Sequence, residues 1–299
     1  MPQEEYDESH WHYIQAPEEM FVLRKFDFDD DERCLLRKWV RLEGPNLKII
    51  EMGSGSGFFT EQLIRMANGP SIVCIEPDDV LTEYAKKRLG EKALFMKGFV
   101  EDPPLPDNLA DLVICYILLC NVPDIKAAVK GMIKVAKPGG TVCSIEPVFF
   151  DGFNPDPRAK LIVEGHSANI AGAWIRRKEF IHYPKEHPFN HFVYPQIFAE
   201  CGLSHIEVHA LATSHYAGDW RWTKEDEMQN AREWLQLLDE HKERYEANLK
   251  RSGWKKDKIE ALFRAWRQYY TEALRNPEKT LRDHSVYMKC SIVTIGKKK

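Results

Sequence analysis

Short apolar runs alternate with stretches of helical spacing through the first half of the chain. The runs lie at 47–50, 71–75, 93–97, 111–116 and 142–146. Runs of this length, separated by helical stretches, predict buried strands of a parallel sheet. Acids stand ahead of the helical stretches: Asp27 to Glu32 before 34–40, Asp78 or Asp79 before Tyr84, Ala85 and Leu89, and Asp124 before a helix over 125–136. A carboxylate there meets free N–H groups and the positive end of the helix dipole. The second half reads differently. A helix over 159–180 carries Gly165 and Gly172 inside it, a helix over 194–203 stops at Gly202, and 204–211 makes a sixth strand. The seventh strand, over 286–295, follows only after two amphipathic helices. Met228, Ala231, Leu235, Leu238, Tyr245 and Leu249 mark the first; Ile259, Leu262, Phe263, Trp266, Tyr269, Tyr270 and Ala273 mark the second. Ser252-Gly253 divides them and Pro277 ends the second.

The first strand ends in Glu51-Met52-Gly53-Ser54-Gly55-Ser56-Gly57 and opens onto Phe58-Phe59-Thr60. Strand, tight turn and helix start in that order are nucleotide-binding material, since ligands of a parallel sheet sit where such turns leave it. The dinucleotide fingerprint needs its third glycine at position 58, which is Phe58. A carboxylate two residues ahead of three alternating glycines is a different spacing. A second carboxylate, Glu76, ends the second strand, where two ribose hydroxyls can donate to one acid.

Composition narrows the class without naming a partner. The chain has 299 residues, 29% charged and 43% hydrophobic, with a formal net charge of −4. Nothing in that balance pulls the whole chain toward nucleic acid or an anionic membrane. Seven cysteines are scattered without a C-x-x-C pair, and no apolar run approaches membrane-spanning length. A cytoplasmic protein is expected. Seven histidines, His166, His182, His187, His191, His205, His209 and His215, crowd residues 166–215. His187 and His191 would share a helical face, but Pro184 and Pro188 break that segment and no carboxylate pair completes a ligand set, so no metal is expected.

The spacing from Glu51 to Gly57, with Glu76 at its interval, resembles the first motifs of the class I S-adenosylmethionine-dependent methyltransferases. The helix over 125–136, the Lys137-Pro138-Gly139-Gly140 turn and the strand after it resemble the segment that ends the family's common half. The resemblance covers about residues 45–147. It implies a Rossmann-like α/β three-layer sandwich, with a seven-stranded mixed sheet whose last strand is antiparallel. It implies S-adenosylmethionine as cofactor: Glu51 at the amino end of its methionine, the turn of Gly53, Ser54, Gly55 and Gly57 beneath it, Glu76 and Pro77 at the ribose. Phe99 and Val100 would flank the adenine, where the family often has an acid, and Cys115 and Tyr116 would face the cofactor from the fourth strand.

The expected organisation is an N-terminal arm and helix (1–46), the cofactor-binding core (47–147), an insertion over the active site (148–193), a core helix and strand (194–211), a helical insertion that is lid or substrate domain, scaffold or dimer contact (212–283), and the last strand with a basic tail (284–299). Methyl transfer from an activated sulfonium needs alignment and exclusion of water more than acid–base help. A base is required only where the nucleophile sheds a proton, and Tyr13, His166, His191 and His215 are candidates. Trp174, Tyr183, Trp220 and Trp222 suit an enclosed apolar or cationic pocket, so a small-molecule N- or O-acceptor is expected. A protein or RNA methyltransferase, and a non-catalytic or NAD-using relative of the fold, are the alternatives.

Overall fold

The strands of the computed structural model are β1 (Lys48–Met52), β2 (Ser71–Glu76), β3 (Leu94–Lys97), β4 (Ala110–Tyr116), β5 (Ala136–Phe153), β6 (Ser204–Tyr216) and β7 (Val286–Lys297). Its helices are α1 (Pro17–Arg24), α2 (Asp30–Trp39), α3 (Phe58–Met66), α4 (Asp79–Leu89), α5 (Ile125–Val135), α6 (Pro157–Phe180), α7 (Tyr194–Glu200), α8 (Lys224–Arg251), α9 (Lys256–Arg275) and α10 (Pro277–Arg282). The structure describes residues 11–67, 69–180, 192–283 and 285–299. Seven strands form one sheet in the order β3-β2-β1-β4-β5-β7-β6. Strands β1 to β5 pair in parallel. β7 runs against its neighbours. Near its end, Lys298 N–H donates to Gly140 O at 3.0 Å, beside the beginning of β5, and Ser204 Oγ at the start of β6 donates to Lys297 O at 3.1 Å. The expected mixed sheet with an antiparallel last strand is therefore the one present.

Helices cover the parallel strands, which is why β1 and β4 are buried almost end to end. The helix starts follow the acids read from the sequence. Asp29 accepts from the N–H groups of Asp31 and Glu32 while Glu32 accepts from Asp29 N–H, a reciprocal capping box. Asp78 caps α4 through Val80 and Leu81, and Asp124 caps α5 through Ala127. Residues 137–140, expected as a turn ahead of the strand, lie inside β5. The strand pairs Ala136 with Ala110, loops out four residues with Gly139 at φ +74°, and resumes at Thr141 against Leu112.

The chain divides into two compact units, each with its own core. The sheet unit holds residues 24–150, 183–213 and 289–299; the helical unit holds 1–23, 151–182 and 214–288. Ile50, Met52, Val113, Cys115, Met132, Val142 and Phe198 are among the buried centre of the sheet unit. In the helical unit Leu238, Tyr245, Leu249, Leu262 and Trp266 pack with Val22 of α1. Gly165 and Gly172, anomalous inside a helix by propensity, are explained by close approach. A Cβ on Gly172 would stand 1.9 Å from Asn248 O of α8, and one on Gly165 would stand 2.5 Å from Leu262 Cδ2 of α9. No helix of the described residues is long and apolar enough to cross a membrane.

Candidate cofactor site at the carboxyl edge of the sheet

The turn after β1 is fixed from behind by its neighbour strand: Gly53 N–H donates to Ile75 O at 2.8 Å and Gly57 N–H donates to Ser54 O at 2.9 Å. Gly53, Gly55 and Gly57 have φ of +68°, +53° and +83°. Two of the three are also held by packing, since a Cβ on Gly53 would meet Leu118 Cδ1 at 2.6 Å and one on Gly57 would meet Ala85 and Leu89 of α4 at 3.0 Å. Gly55, at the tip of the turn, has the left-handed backbone conformation that favours glycine. Ser54 and Ser56 are buried, and Ser56 Oγ has no hydrogen-bond partner.

Two buried carboxylates flank this turn. Glu76 bridges it: one oxygen accepts from Gly55 N–H at 2.8 Å and the other from Asp78 N–H at 3.0 Å. Pro77 stands between, partly exposed. Glu51 lies deeper, accepting from the Thr60 hydroxyl at 2.6 Å. Burial, reinforced by the charge of Glu76, pushes its carboxyl up to about 8. Beyond β3, Phe99 is exposed and forms a bridge with Asp102, whereas Val100 is buried. The Val100 carbonyl lies so close to α5 that a Cβ on Gly131 would stand 1.8 Å from it.

The exit of β4 is strained and heavily bonded. Ile117 has φ +54°, a left-handed conformation that is costly for a β-branched residue. Its N–H donates to Ile145 O at 2.8 Å and its carbonyl accepts from Asn121 Nδ2 at 2.7 Å. Glu146, at 0% exposure, gathers the next three N–H groups, those of Leu118, Leu119 and Cys120, at 2.8–3.3 Å. Burial lifts its carboxyl to about 7. The Cys115 thiol is aimed at Glu146 and is fully buried. Tyr116 turns the other way, its ring stacked on Phe59 at 5.1 Å and edge-on to Phe28 at 5.5 Å. The Tyr116 hydroxyl donates to Asp27 Oδ2 and accepts from Lys289 Nζ at 2.7 Å.

The candidate bases are dispersed. Tyr13, His166 and His215 all belong to the helical unit, and His191, like Tyr183, lies outside the described residues. Tyr13 carries Arg176 over its ring at 5.2 Å. His166 is wedged between Trp234 and Trp266 at 5.0 and 4.7 Å, and burial pulls its pKa down to about 4. His215 meets Trp222 edge-on at 4.9 Å, Trp174 meets Trp11 at 6.1 Å, and Trp220 is 90% exposed. Among the described residues no three His, Cys, Asp or Glu side chains converge on a possible metal position.

Sequence spacing brought out Glu51, the glycine turn and Glu76, which the fold gathers at one edge. It passed over Asp27, Lys289 and Glu146. The one signal for Lys289 was a lone charge inside the otherwise apolar seventh strand. A nucleotide fits the turn: a backbone that needs no side chain at Gly55, an unpartnered buried hydroxyl at Ser56 and a carboxylate held across the mouth all suit a sugar and a small charged chain.

Residues 50–144 match the methyltransferase-domain family. A ubiquinone/menaquinone biosynthesis C-methyltransferase of Shewanella halifaxensis is 27% identical over 139 residues, 42% of this chain and 55% of that protein. The chloroplastic 2-methyl-6-phytyl-1,4-hydroquinone methyltransferase of Spinacia oleracea is 25% identical over 130 residues, 43% of this chain and 38% of that protein. The chain thus spans about half or less of the length of these curated relatives. Among solved structures, phosphoethanolamine N-methyltransferase 2 of Haemonchus contortus with S-adenosyl-L-methionine superposes at a TM-score of 0.51 and 13% identity, covering 96% of this chain and 59% of that one. That likeness is one of fold. Residues 50–144, which carry the turn, Glu76 and β4, match the methyltransferase-domain family, and the sheet built around them has the seven strands and antiparallel last strand expected of the class I S-adenosylmethionine-dependent methyltransferase fold.

Proposed function

We propose that the protein transfers the methyl group of S-adenosylmethionine to an N or O nucleophile of a small molecule. The observation that carries this reading is Glu76, held by Gly55 N–H and Asp78 N–H across a turn of three left-handed glycines. The bound cofactor supplies an electrophilic methyl on a sulfonium. Glu76 accepts from the ribose hydroxyls, Gly53, Ser54, Gly55 and Gly57 line the floor, and Glu51 sits behind the amino end. Pro77, Phe99 and Val100 border the nucleoside, and Cys115 and Tyr116 border the β4 side. Phe58 argues against NAD, because it fills the third-glycine position of the dinucleotide fingerprint with a buried ring packed on Phe28 and Tyr116.

The candidate bases Tyr13, His166 and His215 lie outside the family match. A carbon acceptor is the second reading, favoured by the named activity of the Shewanella relative. Seven free thiols, three of them buried in the sheet, support a reducing compartment such as the cytoplasm. Calorimetry with S-adenosylhomocysteine and NAD side by side tests the reading. Binding of the first and not the second is expected; the reverse would overturn it. Transfer of labelled methyl to phosphoethanolamine rather than to a prenylated hydroquinone would then support the nitrogen acceptor.

A further inference from the structure

Asp27, Tyr116 and Lys289 come from three distant parts of the sheet unit and meet in its interior. They are 3%, 8% and 8% exposed. Lys289 Nζ donates to Asp27 Oδ2 at 2.5 Å and to the Tyr116 hydroxyl at 2.7 Å, and that hydroxyl donates to the same Asp27 oxygen. Both donors therefore crowd onto Oδ2. The other oxygen, Oδ1, is buried without any hydrogen-bond partner. A bare carboxylate oxygen in an interior is costly, and an ion pair retained only for stability is readily replaced by apolar side chains.

The place of this oxygen gives it a use. Asp27 precedes Phe28, whose ring packs on Phe58 and Phe59, the first residues after the glycine turn, and on Tyr116 at the end of β4. β4 lies beside β1, Met52 paired with Cys115. Asp27 thus stands at the side of the turn where the methionine end of the cofactor belongs on the reading above. Of the two acids at that end, Glu51 is already engaged by Thr60 and is held largely uncharged at neutral pH by its burial. A cationic ammonium gains little from a neutral acid and much from a carboxylate.

We propose that Asp27 Oδ1 accepts from the ammonium of the cofactor's methionine moiety, with Lys289 and Tyr116 as positioning residues that hold the carboxylate's other oxygen. This rests on the cofactor assignment made under the proposed function. Asp27 lies in the connection between α1 and α2, outside regular structure. Lys289 and Tyr116 occupy Oδ2, which leaves Oδ1 as the acceptor for a further donor.

The test compares S-adenosylhomocysteine with its desamino analogue, which keeps the carboxylate and lacks the ammonium, by calorimetry. The natural protein should prefer the amino compound by about tenfold or more, the scale of one hydrogen bond to a charged group. In Asp27→Asn that preference should fall to within about twofold, while affinity for the desamino analogue stays close to the original. The double variant D27N/K289M, which buries no unpaired charge, should behave alike, and it covers a failure of D27N to fold. Glu51→Gln should keep the preference. A preference unchanged in both Asp27 variants, or lost in Glu51→Gln instead, overturns the assignment while leaving the cofactor site intact. Absence of binding of either compound by the natural protein overturns the cofactor reading and this assignment with it.

Discussion

Glu51 is the group whose replacement should speak most clearly. Its carboxyl is shifted from 4.5 to about 8, chiefly by burial and secondarily by the charge of Glu76, against a lowering from the Thr60 hydroxyl. An acid whose folded pKa lies above its unfolded one contributes its stability in full below the unfolded value and loses it as pH rises toward the folded value. The window therefore runs from about 4.5 to about 8. Each pKa unit is worth about 1.4 kcal/mol, so the side chain should cost the fold roughly 3 kcal/mol between pH 5.5 and 8.5. Glu51→Gln keeps the shape, still accepts from Thr60 and cannot ionise. Urea unfolding of both proteins at several pH values is the assay. The difference in their stabilities isolates Glu51, because Glu146 and Glu32, also raised to about 7, are common to both. The variant should gain on the natural protein steadily as pH rises. Parallel curves would refute the reasoning and mean that water or a counter-charge reaches Glu51.

Three further outcomes are expected. Glu76→Ala should weaken S-adenosylhomocysteine by about 1.5–3 kcal/mol, measured by calorimetry, with the circular dichroism spectrum retained; unchanged affinity would remove Glu76 from the site. Gly55→Val should abolish that binding yet leave most of the fold, because a branched side chain at φ +53° is strained and stands in the ligand's path; normal binding would place the cofactor elsewhere. In Gly172→Ala the new methyl must displace Asn248 O of α8 from 1.9 Å, so the helical unit should lose at least about 1–3 kcal/mol in denaturant unfolding; an unaltered midpoint would mean that α6 and α8 separate freely.

Elements governed by local chemistry were legible in the chain. α2, α4 and α5 start where acids precede apolar spacing because a cap is a bond within a few residues. The break between α8 and α9 follows Gly253 at φ +89° for the same reason. Where the sequence misled, the deciding partner lay far along the chain. Lys137-Pro138-Gly139-Gly140 has the conformation of a turn at Gly139, yet β5 begins before it because Ala136 pairs with Ala110. β6 runs on to Tyr216, beyond the 211 expected, and the next residue, Ala217, still donates its N–H to Ser285 O, just ahead of β7. Pro277 ends the spacing of α9 but starts α10, since proline at a first turn sacrifices no bond.

The site divides along the same line. Glu51 and Glu76 stand at strand ends that periodicity locates, so their convergence on one turn follows from a parallel sheet. Asp27 read as one more acid ahead of a helix, and the capping is in fact done by Asp29. That leaves Asp27 without a local purpose. Lys289 occupies a strand whose neighbours Ser291, Ile292 and Val293 are buried, a position where an unpaired ammonium would be expelled. Each residue alone is an oddity that spacing cannot interpret. Only the fold joins them, and the burial of the pair with one oxygen bare turns two oddities into a binding hypothesis. His166 shows the converse: a histidine amid aromatics was a fair candidate base, but two tryptophans hold it neutral down to about pH 4 inside the helical core. A neutral imidazole can still accept a proton in principle. Its low pKa makes it a poor base at neutral pH, and its contacts are those of packing.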